Sequence, residues 1–107
     1  MDKHLDTFIA EHPEGWNHDA WLTLLTTLEQ GGIDVSDAER IGYELENRRL
    51  AAELRRREIT GLGPKRIEAL VERFGTLWSL QHADSDQLAE IKTVPANVAE
   101  KVVAAVR

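Results

Sequence analysis

The stretch that most narrows what this chain can fold into is Ile59-Thr60-Gly61-Leu62-Gly63-Pro64-Lys65-Arg66-Ile67-Glu68-Ala69-Leu70. Two glycines flank one apolar residue, and a proline, two cations and a helical apolar period follow. Such an order ends one helix, turns tightly and opens a second helix with an exposed N-terminus. Gly61 and Gly63 suit positive φ and put no Cβ in the way of an approaching group. Pro64 fits the first helical position, where no N–H is needed. The free N–H groups behind it, with the positive end of the helix dipole, favour an anion. Lys65 and Arg66 stand where they add full charges, yet the dipole disfavours cations at that end unless an anion lies between. A phosphate is the guest that this pattern suits.

The rest of the chain reads as helices. A short one is expected over residues 6–12, stopped by Pro13 and Gly15. Asn17 is a good N-cap for a second, in which Ala20, Trp21, Leu24, Leu25 and Leu28 form one apolar stripe. Gly31-Gly32 ends it. A third starts at the capping-box pattern Ser36-x-x-Glu39 and runs to about Arg57. Its Ala38, Ile41, Leu45 and Ala52 share one face, while Tyr43, Leu50 and Leu54 lie nearly opposite. A helix apolar on two sides is buried on both, so it is expected to be a shared spine, with Gly42 permitting close packing. A fourth helix from Pro64 to Gly75 should bury Ile67, Leu70, Val71 and Phe74. A short connector over residues 76–80 follows, then a helix capped by Ser85 that carries Leu88, Ala89 and Ile91. The last helix begins at Asn97, with Val98, Val102, Val103 and Val106 inward. The expected fold is all-α, with an acidic helical region over residues 1–49 and a second region over residues 50–107.

The second region contains an internal repeat at a spacing of 32 residues. Ile59, Gly61, Leu62, Gly63, Lys65 and Leu70 match Ile91, Thr93, Val94, Pro95, Asn97 and Val102. The apolar positions survive the copy; the glycines and the lysine do not. This pattern resembles the tandem helix-hairpin-helix domain, most closely that of excision-repair nucleases and related junction-processing proteins. The connector Gly75-Thr76-Leu77-Trp78-Ser79-Leu80 and the following 83–91 segment carry the same resemblance; residues 1–49 carry none. The resemblance implies two hairpins, 60–63 and 92–95, related by a pseudo-two-fold axis. It implies binding to the DNA backbone without sequence readout, in repair or recombination, with double-stranded or branched DNA as the partner. It assigns Gly61, Leu62, Gly63, Lys65 and Arg66 to the first contact. Asn97 and Lys101 would reach a neighbouring phosphate, and a monovalent cation at the carbonyls of the first hairpin is admitted. The second hairpin is expected to contact phosphate weakly or not at all, because Pro95 has no N–H to offer.

Charge complicates a DNA reading. The net charge is −6, whereas a DNA-coating protein should be basic. Residues 1–50 hold four Lys/Arg against eleven Asp/Glu, a net −7, and residues 51–107 hold nine against eight, a net +1. Two jobs are implied. The acidic part is a solvated shell, a dock for a basic partner or a means of restricting how DNA approaches. A rival to DNA binding is therefore a protein-interaction or homodimer module that keeps the fold. With no cysteine, no basic-then-apolar leader and no run long enough for a membrane, a cytoplasmic location is expected.

Other residues invite sharper readings that weigh less. Arg55-Arg56-Arg57 is either a basic helix end or an extension of the phosphate face, and Arg73 is expected to face solvent. Trp16, Trp21, Phe74 and Trp78 are expected in the core rather than as stacking platforms, although Phe74 and Trp78 would serve a partner. His12, Glu14, His18 and Asp19 match no zinc spacing. Asp86, Glu90 and Lys92 imitate a nuclease set but lie in the connector and second hairpin, away from any strand. No catalytic role and no resident metal are expected.

Overall fold

A computed structural model describes all residues, Met1–Arg107, and contains seven helices and no strand. In chain order they are α1 (Asp2–Glu11), α2 (His18–Gln30), α3 (Ala38–Arg56), α4 (Pro64–Phe74), α5 (Leu77–Gln81), α6 (Ser85–Ala89) and α7 (Ala96–Val106). The all-α expectation holds. The chain divides into two compact units, Met1–Arg48 and Arg49–Arg107.

The first unit gathers Leu5 and Phe8 of α1, Leu24 and Leu28 of α2, and Ile41 and Leu45 of α3 into one buried cluster. Asn17 caps α2 by accepting from the Ala20 N–H at 2.9 Å. The helix α1 starts four residues earlier than the pattern suggested, at Asp2. Its Asp2 and Asp6 pair with Arg48 at 2.9 and 3.1 Å, and Glu44 joins at 3.5 Å. Trp21 rests 3.5 Å from where a Cβ of Gly42 would stand, an ordinary contact that alanine would also satisfy. The α3 cap is Asp37, which accepts from the Arg40 N–H at 3.2 Å. Ser36, expected there, instead donates its own N–H to Asp34 in a local turn.

The second unit is built on Leu50 and Leu54 of α3, Ile67 and Leu70 of α4, Leu77 and Leu80 of α5, Leu88 of α6, and Val98, Val102 and Val106 of α7. The apolar positions of α3 thus fall on opposite faces as expected, but each face is buried at a different end of the helix. Tyr43 shares the azimuth of Leu50 and Leu54 yet is 59% exposed, because that face is covered only further along. Gly75, at φ 76°, ends α4, and Thr76 caps α5 through the Ser79 N–H. A capping box starts α6, with Asp84 as the cap and Gln87 reaching back to its N–H; Ser85 is the first helical residue, not the cap. Side chains close the end of α7: Arg57 donates to the Ala105 carbonyl and Gln81 to that of Val106. These bonds satisfy carbonyls that the helix end leaves open. Arg57 shares Glu53 with Arg56, and Glu53 is the one buried charged side chain.

Candidate nucleic-acid interface

Each hairpin opens on the same turn. The Leu62 N–H donates to the Ile59 carbonyl at 3.0 Å, and the Val94 N–H to the Ile91 carbonyl at 2.9 Å. A helix then starts two residues later in both, with Ile67 bonded back to Gly63 at 3.0 Å and Ala99 to Pro95 at 2.9 Å. The 32-residue spacing is therefore a repeat of backbone hydrogen bonds as well as of apolar positions. The turns differ at one dihedral. Gly61 has φ +85°, the type II value that favours glycine, while Thr93 is not in that region.

The two glycines of the first hairpin are not equivalent. A Cβ on Gly61 would stand 3.0 Å from Cγ2 of Val98 at the start of α7, so this glycine lets the two hairpins close on one another. Gly63 caps α4 in ordinary extended backbone, φ −89° and ψ −178°. No atom lies within 4 Å of a Cβ added there. The cap makes no side-chain hydrogen bond, so the Lys65 and Arg66 N–H groups, second and third in the helix, are left for an external acceptor. Lys65 is exposed and makes no hydrogen bond or ion pair. Leu62 packs partly buried against the core behind the turn.

Arg66 is placed differently from the sequence expectation. Its Nε donates to the Thr93 carbonyl at 2.7 Å and its Nη1 to the Gly61 carbonyl at 2.5 Å. The side chain turns away from the front of α4 and toward the second hairpin. Two cations at a helix start had argued for an anion; only Lys65 still carries that argument. The other keeps its charge, but its N–H groups are committed to two backbone carbonyls. The partner residue lies 27 positions away, beyond what local pattern can reveal. The local clue was a cation at a helix position that the dipole disfavours.

The start of α7 is closer to that of α4 than expected. Pro95 is the cap and Ala96 the first helical residue, whereas in α4 the cap is Gly63 and the proline follows it. Each start therefore loses one N–H to proline, and the backbone donors match in number. The side chains differ. Asn97 occupies the position of Lys65, and Lys101 stands one turn further; both are exposed and unpartnered.

Of the other candidates, Arg56 and Arg57 are held by Glu53 at 2.7 and 3.3 Å, which leaves Arg55 as the exposed member of the run that makes no ion pair. Arg73 is surface-facing, 3.5 Å from Glu90 and over the Phe74 ring. Trp16 packs edge-on against Phe8, and Trp21 and Phe74 are half-buried against their cores. Trp78 departs from expectation: it is 67% exposed and stacked on His82 with centroids 4.0 Å apart. Its five-residue helix turns Leu77 and Leu80 inward, leaving Trp78 outside. The sequence could not assign this face, because a helix of one turn has too short a period. No group of three or more His, Asp or Glu side chains is arranged to hold a metal ion.

Residues 52–107, just over half of the chain, match the profile of the family described as the SAM-like helix-hairpin-helix tandem. Similar curated proteins are named UvrABC system protein C. The one from Geobacter metallireducens is 41% identical over 44 residues, 41% of this chain and 7% of the relative. That from Symbiobacterium thermophilum is 32% identical over 56 residues, 52% of this chain and 9% of the relative. That from Dechloromonas aromatica is 48% identical over 44 residues, 41% of this chain and 7% of the relative. The chain thus spans less than a tenth of the length of these relatives. No solved structure matches it.

Proposed function

Because the chain belongs to the SAM-like helix-hairpin-helix tandem family, we propose that it binds DNA without reading sequence, in repair or recombination. The contact is a phosphate at the start of α4. The single observation that carries this reading is Gly63: its φ is one that any residue adopts, and nothing surrounds its missing Cβ. Nothing in the protein's own packing calls for glycine there, whereas a phosphate approaching two open N–H groups does. Lys65 supplies the charge, and Leu62 holds the turn against the core. Asn97 and Lys101 take a neighbouring phosphate at the start of α7. The first hairpin works without a bound monovalent cation, since Arg66 already brings a positive group to the Gly61 carbonyl. The proposed role is binding without chemistry, and the relatives' name, UvrABC system protein C, supports a setting in DNA repair.

Titration of the full chain with duplex, single-stranded and branched DNA at low salt tests this reading. Binding to duplex or branched DNA is expected, with a slope of log K against log salt of about −1 to −2, because only one or two phosphates are neutralised. Failure to bind all three forms would sink the proposal. Incubation of the same DNA with Mg²⁺ should leave it uncut. A second reading, as a protein-interaction module, draws on Trp78, which is 67% exposed where the pattern expected it in the core. It predicts a dimer in a sizing measurement that Trp78→Ala dissolves.

A further inference from the structure

The two carbonyls that Arg66 binds belong to Gly61 and Thr93, which are the same position in the two copies of the repeat. A single group bound to two equivalent atoms lies near the axis that relates the copies. The repeat-equivalent of Arg66 is Val98, buried at 3% exposure, and it is the side chain that closes on Gly61 from the other hairpin. At the junction, then, one copy contributes a guanidinium and the other a valine. The missing Cβ of Gly61 makes room for the valine, since it would stand 3.0 Å from Val98, whereas Nη1 of Arg66, at 3.9 Å, would be in ordinary contact with it.

We propose that Arg66 is a pin between the two hairpins, a positioning residue and not a phosphate ligand. The guanidinium suits this task because its rigid fork directs separate N–H groups at two acceptors. A lysine carries the same charge as a single point and cannot span both carbonyls in the same way. Bound to both, Arg66 fixes the separation of the α4 and α7 starts. The proposal deepens the DNA-binding reading and rests on it for its effect on affinity, though not for its effect on the protein itself.

The test compares the full wild-type chain with Arg66→Ala, Arg66→Lys and Lys65→Ala in two measurements. The first is amide hydrogen exchange at Leu62 and Val94, the N–H groups that close the two turns. The second is the salt dependence of binding to duplex DNA. Loss of the pin should speed exchange at both amides about tenfold in the alanine and the lysine variants alike, as local opening becomes easier. Affinity should fall about 5- to 10-fold if unpinned hairpins are in register a tenth to a fifth of the time. The salt slope should stay near the wild-type value, whereas Lys65→Ala should reduce its magnitude by about 0.9, the share of one phosphate. Unchanged exchange in both Arg66 variants overturns the pin. So does a slope that falls as it does in Lys65→Ala with full affinity restored by lysine, the behaviour of a phosphate ligand. If the wild-type chain binds no DNA, the functional reading fails while exchange alone still decides the pin.

Discussion

Gly61 takes φ +85° with Val98 in its Cβ space, while Gly63 has ordinary backbone and open surroundings. Alanine at these positions should therefore have opposite consequences. Gly61→Ala forces a left-handed conformation and a close contact, and should lower stability by about 2 kcal/mol. Gly63→Ala should change stability by less than about 1 kcal/mol, since a weaker cap is offset by a less flexible unfolded chain. It should nevertheless weaken DNA binding severalfold by standing in the phosphate's path. Thermal melts paired with a duplex titration check both, and a stable Gly61→Ala would show that the hairpins do not need their close approach. At this scale the sequence showed that the glycines mattered and could not show that they mattered for different reasons. Both read as turn residues until the atoms around each are known.

Helix ends were legible where a residue has one conformational role, as at Gly75 and Asn17. They were misplaced by one residue where two adjacent side chains both make good caps, as with Ser36 and Asp37 or Ser85 and Asp84. The apolar faces of α3 followed from its period, but not which end of each face is covered, so Tyr43 was wrongly placed inside. Charged side chains with distant backbone partners were not legible at all. Arg57 on Ala105 and Arg66 on Thr93 each span more than a dozen residues. The C-terminal end of α3 also carries the clearest pH dependence. Burial raises the Glu53 carboxyl, but hydrogen bonds and charge from Arg56 and Arg57 outweigh it and hold the group below its ordinary value of 4.5. A folded-state pKa below the unfolded one gives stability that is full above the unfolded value and is lost as pH falls. Melting temperature should therefore begin to drop below about pH 4.5 in the wild type. In Glu53→Gln the drop should be smaller, from a lower starting point. Melts from pH 3 to 7 check this (a range about the Glu53 transition), and equal acid sensitivity in both proteins would contradict it.

Across the whole molecule the charge is divided unevenly. Met1–Arg48 holds three Lys/Arg against eleven Asp/Glu, a net −8, while Arg49–Arg107 holds ten against eight, a net +2. A protein so divided meets DNA against its own long-range field, and that field is screened over about 10 Å at 0.1 M salt. Glu11, Glu14 and Glu29 are exposed and form no ion pair. Changing all three to Gln should raise duplex affinity severalfold in dilute buffer, and the gain should vanish as salt approaches physiological strength. A gain that persists in high salt would contradict a long-range, screened repulsion. No helix is long and apolar enough to cross a membrane.

Lys65 is exposed, has no partner in the protein, and stands beside the two open N–H groups at the start of α4. The most direct measurement is duplex affinity of Lys65→Glu against wild type at one low salt concentration, with melting temperature recorded for both. Replacing an attraction to phosphate by a repulsion should cost at least about 1.4 kcal/mol, a tenfold loss of affinity, with melting unchanged. A variant that binds duplex as tightly as wild type would contradict a phosphate site at the first hairpin.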